Sequence, residues 1–157
     1  MPGCCFTGHR VIPWQVASRL RILLTEQIEE LYAAGVRDFY AGGALGFDML
    51  AEETVCRMKE TGRCDLRLHL VLPCTDQDAR WNAADRARYR ALLSKADSVR
   101  YITQSYCPGV MAARNRALVS SSAFCIAYLT HTGGTAQTVS MAKKAGCRVI
   151  NLADRIV

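Results

Sequence analysis

The sequence has no Cys-x-x-Cys pair, although cysteine occurs at 4, 5, 56, 64, 74, 107, 125 and 147. Histidine is scarce: His9, His69 and His131 are the three, and none stands at ligand spacing from a cysteine pair. These absences exclude a zinc finger or ribbon, so no metal site is predicted. The N-terminal Met-Pro-Gly-Cys-Cys-Phe lacks the basic-then-apolar layout of a secretory signal, which predicts a cytoplasmic protein with reduced, mostly buried thiols. Cys74 and Cys107 fall in predicted loops and are the cysteines expected at the surface. No apolar run approaches the roughly 18 residues of a membrane span, so no membrane partner is expected. No repeat, low-complexity tract or linker divides the chain, and one domain over residues 1–157 is predicted. Gly-x-x-x-x-Gly-Lys-Ser/Thr is missing, which argues against a P-loop NTPase. Gly-x-Gly-x-x-Gly is missing after the first strand, which argues against a nicotinamide dehydrogenase. No cofactor is therefore predicted.

What is present is an ordinary globular composition: 157 residues, 50% hydrophobic and 22% charged, long enough for a substantial core. The net charge of +6 is unevenly spread. Residues 80–116 hold Arg80, Arg86, Arg88, Arg90, Lys95, Arg100, Arg114 and Arg116 against Asp85 and Asp97, which accounts for the whole excess. A basic segment in an otherwise balanced chain suggests an anionic partner, a nucleotide or nucleic acid. Arg86 and Arg90 are better read as a solvated helix face.

Apolar strand-like runs alternate with helical spacing throughout. Strands are predicted at Cys4–Phe6, Asp38–Ala41, Leu66–Leu72, Ser98–Ile102, Phe124–Leu129 and Val149–Leu152. Helices are predicted at Trp14–Ala34, Phe47–Glu60, 78–96, Val110–Ser121 and from Thr135 to Ala145, with Gly35, Gly62 and Gly146 as stops. The alternation of Leu66-Arg67-Leu68-His69 suits a sheet edge, and the unbroken run Phe124–Leu129 a central strand. Six strands alternating with five helices predict an α/β fold: a Rossmann-like, doubly wound parallel sheet with helices on both faces, in an order such as 3-2-1-4-5-6. Ligands in such folds bind at the carboxyl ends of the strands, where the order reverses.

Three loops at that rim share a chemistry: Thr7-Gly8-His9-Arg10, Gly42-Gly43-Ala44-Leu45-Gly46-Phe47-Asp48 and Thr132-Gly133-Gly134-Thr135. Glycine lets backbone approach a phosphate, and a helix starting after each loop adds unpaired N–H groups and its positive dipole end. Thr7, Thr132 and Thr135 add hydroxyls, and Arg10 a fork for phosphate. Arg114-Asn115-Arg116 is expected on the same rim, where Asn115 offers both donor and acceptor. Asp48, in a first helical turn, either complements the helix dipole or contacts a ribose or base. Glu53, five residues on, is turned about 140° from Asp48 and reads as solvated or paired. His9 matters only if its loop is a site; Trp81 and Tyr89 read as core.

At these residues the chain resembles the YpsA-like branch of the SLOG superfamily, which also includes DNA-processing protein A and the cytokinin-activating (LOG) phosphoribohydrolases. The resemblance is carried by Cys4–Arg10, Gly42–Asp48, Arg114-Asn115-Arg116 and Gly133–Ala136, with Pro73, Gln77, Trp81, Tyr89 and Ala96-Asp97 at the branch's spacing. It implies a Rossmann-like fold and a nucleotide-like ligand near Gly8, Arg10, Gly43, Gly46, Asp48, Asn115, Gly134 and Thr135. The chain departs from the branch at Val11, where proline is usual, and at Ser120 and Ala123, where aspartates are. The phosphoribohydrolases end their glycine motif in a glutamate; Thr138 stands at that position here, so that reaction lacks its carboxylate.

Three functions are therefore in play. The first is a sensor or regulatory domain binding a nucleotide or nucleotide derivative, its phosphate cradled by Thr7, Gly8, Arg10, Gly42, Gly43, Gly46, Asp48, Arg114, Asn115, Gly133, Gly134 and Thr135. The second is single-stranded nucleic-acid binding, for which Phe47 and Tyr106 are the stacking candidates. The third is hydrolysis of an N-glycosidic or phosphate bond with Asp48 or Glu53 as acid. Whether a reaction is catalysed, and whether the chain forms a homo-oligomer, the sequence leaves open.

Overall fold

The computed structural model describes residues 2–156. Six parallel strands form one sheet: β1 (Gly3–Gly8), β2 (Asp38–Ala41), β3 (Arg67–Leu72), β4 (Ser98–Tyr101), β5 (Ser122–Tyr128) and β6 (Arg148–Asn151). Five helices connect them: α1 (Trp14–Ala33), α2 (Phe47–Glu60), α3 (Ala83–Lys95), α4 (Val110–Ser120) and α5 (Gly134–Lys144). A short 3-10 turn, Leu152–Arg155, follows β6. This is the Rossmann-like α/β arrangement that the alternation predicts.

Alternate β1 residues serve opposite layers. Cys4 and Phe6 join the core under α1, α2 and α3, with Leu24, Ile28, Val55 and Leu92. Cys5 joins the smaller core under α4 and α5, with Leu118, Val119 and Ala142. Period-two side-chain alternation thus places one strand in two cores. All eight cysteines are free, six of them buried. Cys74 is among the buried ones, against the expectation of exposure; Cys64 joins Cys107 at the surface.

The strand order is β4-β3-β2-β1-β5-β6, not 3-2-1-4-5-6. The first wing takes one strand more, so the reversal falls between β1 and β5. The composition of β4 suits that edge: Ser98-Val99-Arg100-Tyr101 is exposed throughout, which an interior strand would not tolerate. The expectation of β3 at an edge is overturned with it. Its polar alternation is satisfied across the sheet instead. Arg67 donates to both carboxylate oxygens of Asp38 (2.7 and 2.9 Å), and His69 bridges Asp38 (2.8 Å) and Ser98 (2.6 Å) while stacking on Tyr40. Arg67, then His69, hold the Asp38 carboxyl down to about 2.

The helix expected over 78–96 begins only at Ala83. Asn82 caps it, accepting from Asp85 N–H at 2.8 Å, so residues 76–81 are released as turns. Arg86 and Arg90, read as a solvated face, both reach the buried Asp78 carboxylate (3.6 and 3.2 Å).

Candidate functional site

The rim is built by contacts between loops. Gly46 adopts φ +78°, and a Cβ there would collide with the backbone of His9 and Arg10. Phe47 N–H donates to His9 O at 3.1 Å, locking the β1–α1 loop to the start of α2. Gly42 leaves room for the Arg114 guanidinium, which would overlap any side chain there. Arg114 is buried and donates to Gly42 O (2.6 Å) and Asn115 Oδ1 (2.8 Å).

A hollow of about 300 Å³ opens between these elements. Its polar wall comprises Thr7, Gly8, His9, Arg10, Asp48, Arg114, Asn115, Gly134, Thr135 and Thr138; Phe6, Met111 and Leu118 supply apolar surface. Eight residues singled out in the sequence thus converge: Thr7, Gly8, Arg10, Asp48, Arg114, Asn115, Gly134 and Thr135. Gly42, Gly43, Gly46 and Gly133 do not line it. The first three serve loop packing, and Gly133 belongs with Thr132 to a shallow groove beside α5. Glu53 is outside too, paired with Arg88 at 2.7 Å. Phe47 is wholly buried and unavailable for stacking.

The β2–α2 loop departs from the expected phosphate cradle in a second way. Two of its amides are already spent: Gly43 N–H donates to Glu52 (3.1 Å) and Ala44 N–H to Asp48 (3.2 Å). Helix α2 therefore clamps its own entry loop with two carboxylates one turn apart. The start of α5, where no side chain caps the helix, offers N–H groups to an anion. Glu52 is a second carboxylate at this loop that the sequence analysis does not single out; its i, i+4 spacing from Asp48 is the signal that identifies it, whereas Glu53 is turned away. His131 is likewise not singled out by the sequence. Its ring stacks on His9 at 3.7 Å, and His9 Nε2 accepts from Thr130 N–H (2.9 Å), tying β5's exit to β1's. Burial, then His131, lowers the His9 pKa and favours the neutral ring this bond requires.

Two arginines and two carboxylates set the charge at and beside this hollow. Burial lifts the Asp48 carboxyl above its usual range, opposed by Arg114, the Ala44 N–H and Arg10. Burial and the neighbouring Asp48 push Glu52 much higher, and its Oε1 has no hydrogen-bond partner among the described residues. A protonated Glu52 leaves the two arginines only Asp48 to balance. The elevated carboxyl has a stability consequence. The folded chain keeps the Glu52 proton to a higher pH than the unfolded chain, so this contribution is full below about 4.5 and declines as pH rises. Glu52→Gln should flatten that decline; urea denaturation of both chains at pH 5 and pH 8 measures it, and an unchanged difference refutes the assignment.

Among the described residues no three His, Cys, Asp or Glu side chains lie close enough to hold a metal ion, and no helix is long and apolar enough to cross a membrane.

The family model described as the YspA SLOG family (YpsA) matches residues 15–147. UPF0398 protein BH1768 of Halalkalibacterium halodurans is 32% identical over 99 residues, covering 62% of this chain and 52% of the relative. UPF0398 protein ABC2016 of Shouchella clausii is 29% identical over 97 residues, covering 62% and 47%. The chain spans about half the length of these curated relatives. Among solved structures, DNA processing protein A from Helicobacter pylori, described in terms of its single-stranded DNA binding mode, superposes with TM-score 0.65 at 18% identity. That likeness covers 94% of this chain and 64% of the other. At that identity it shows the fold.

Proposed function

Because this chain belongs to the YspA SLOG family, we propose that it binds a nucleotide or nucleotide derivative as a sensing or regulatory domain, with a phosphate in the hollow between β1 and β5. The carrying observation is the convergence of Arg10, the buried Arg114 and the uncapped α5 N-terminus on one cavity. Arg114 is anchored before any ligand arrives, so little side-chain ordering remains to be done on binding. Asp48, held by Ala44 N–H, is placed to accept from a ribose hydroxyl. It stays a weak candidate for acid catalysis: burial lifts its carboxyl, while Arg114 and the Ala44 N–H favour the ionised form.

The second reading is single-stranded nucleic-acid binding, supported by the fold likeness to a protein described as binding single-stranded DNA. The basic excess supports it less than composition suggests. Arg86, Arg88, Arg90 and Lys95 are each paired with an acid, whereas Arg80, Arg100 and Arg116 have no ion pair among the described residues.

Calorimetry separates the two readings. Ribose 5-phosphate, AMP and ADP-ribose are expected to bind purified protein with affinities that change modestly between 50 and 200 mM salt. A short oligonucleotide bound through several phosphates would lose affinity steeply over the same range. Heat from the oligonucleotide alone, with that steep salt slope, would transfer the assignment to nucleic acid.

A further inference from the structure

A second hollow, of about 470 Å³, adjoins the first, and Arg10, Ala44 and Met111 line both. Their combined size falls in the usual range for small-molecule sites, roughly 300–1,000 Å³. The walls differ in character. The first hollow presents charge and hydroxyls; the second adds apolar surface from Leu45, Pro73, Trp81 and Tyr106 beside Asp76 and Arg80. Trp81 is fixed edge-on against Tyr89, with ring centroids 5.1 Å apart. Tyr106, in the loop between β4 and α4, is 65% exposed and joins no aromatic contact among the described residues. Its ring is therefore open to a ligand in the cleft that it lines.

Gln77 adds direction. Its Nε2 donates to Gly43 O (3.2 Å) and to Tyr89 Oη (2.9 Å). A carbonyl oxygen can only accept, so the amide cannot be turned over without losing that bond. Oε1 accepts no hydrogen bond among the described residues, and Gln77 lines the hollow. An acceptor beside an aromatic cleft selects a ring carrying an exocyclic amine.

We infer that the second hollow is a base subsite. The ligand is a nucleoside 5′-phosphate moiety whose phosphate lies by Arg114 and α5, whose ribose crosses Arg10 and Met111, and whose amino-bearing base, adenine in the first instance, lies between Trp81 and Tyr106. This rests on reading the first hollow as a phosphate site, and it goes further in assigning the other half of the ligand. Residues 76–81 matter here because they are turns: a helix beginning at 78 would fix Trp81 on a helical face.

The chain has two tryptophans, and Trp14 is 82% exposed, so Trp14→Phe leaves Trp81 as the sole indole reporter. In that chain AMP is expected to quench emission, and ribose 5-phosphate to bind by calorimetry without quenching. AMP should bind about tenfold more tightly than IMP, whose keto oxygen would face Gln77 Oε1. Tyr106→Ala, at an exposed loop position that spares the fold, should cost AMP on the order of tenfold while leaving ribose 5-phosphate unchanged. Equal affinities for AMP and ribose 5-phosphate, with neither altered by Tyr106→Ala, overturn the base subsite and leave the phosphate reading standing. Tighter AMP binding with silent Trp81 emission and no Tyr106 effect places the base elsewhere and overturns it too. If neither compound binds, the phosphate reading fails and takes this one with it.

Discussion

Gly46→Ala is expected to lower stability by at least about 2 kcal/mol, a fall in Tm of roughly 4–8 °C or more for a chain of this size. Two costs combine. The φ of +78° is unfavourable for any residue with a Cβ, and the added methyl would meet backbone atoms of His9 and Arg10, which have no rotamer to yield. Relief requires the β1–α1 loop to part from the start of α2, breaking Phe47 N–H to His9 O. Ligand binding should fail with it, because Arg10 would leave the hollow. Gly109→Ala is the control: φ is +83°, but nothing lies within 4 Å of the new carbon. It should show only the dihedral cost, about 1–2 kcal/mol. Matching thermal shifts for the two variants would show that loop contact contributes nothing.

Arg114→Met is expected to reduce affinity for ribose 5-phosphate about 100-fold or more, the scale for truncating a buried hydrogen-bonded charge at an interface. It removes the guanidinium that lines the hollow and the bond that pins Gly42 O. Stability should also drop by about 2 kcal/mol, since hydrogen bonds to charged groups contribute about 1.5–3 kcal/mol. Asp48 then keeps its burial and loses the main charge that opposes it. Adding Asp48→Asn to Arg114→Met should therefore recover part of the stability and none of the affinity. Denaturation and calorimetry on the four chains of this cycle report the two quantities separately. Wild-type affinity in Arg114→Met would remove Arg114 from the site.

Much of the candidate site was legible because glycine, threonine and arginine at strand ends have few uses. Thr7-Gly8-His9-Arg10 and Gly133-Gly134-Thr135 stand where a Rossmann-like sheet places ligands, and most of their residues meet in the hollow. The β2–α2 loop misled for an instructive reason. Its glycines look like a cradle, yet whether an amide is free depends on what accepts its proton. Asp48 and Glu52 accept these. The basic segment misled similarly: Glu53 and Glu60 on α2 meet Arg88 and Lys95 only where α2 packs on α3, and Asp78 reaches Arg86 and Arg90 only because the chain turns before α3.

The amino-acid sequence alone determined the kinds and succession of elements, since alternation of apolar residues and glycine stops are local properties of the chain. It also determined that the chemistry gathers at the strand ends. Tertiary structure decided the rest: where the sheet reverses, which amides remain unspent, and that Arg114 turns inward beneath Gly42. Each of these depends on pairing and burial between segments far apart in the chain, where the free energy belongs to a contact and cannot be assigned to either residue by itself.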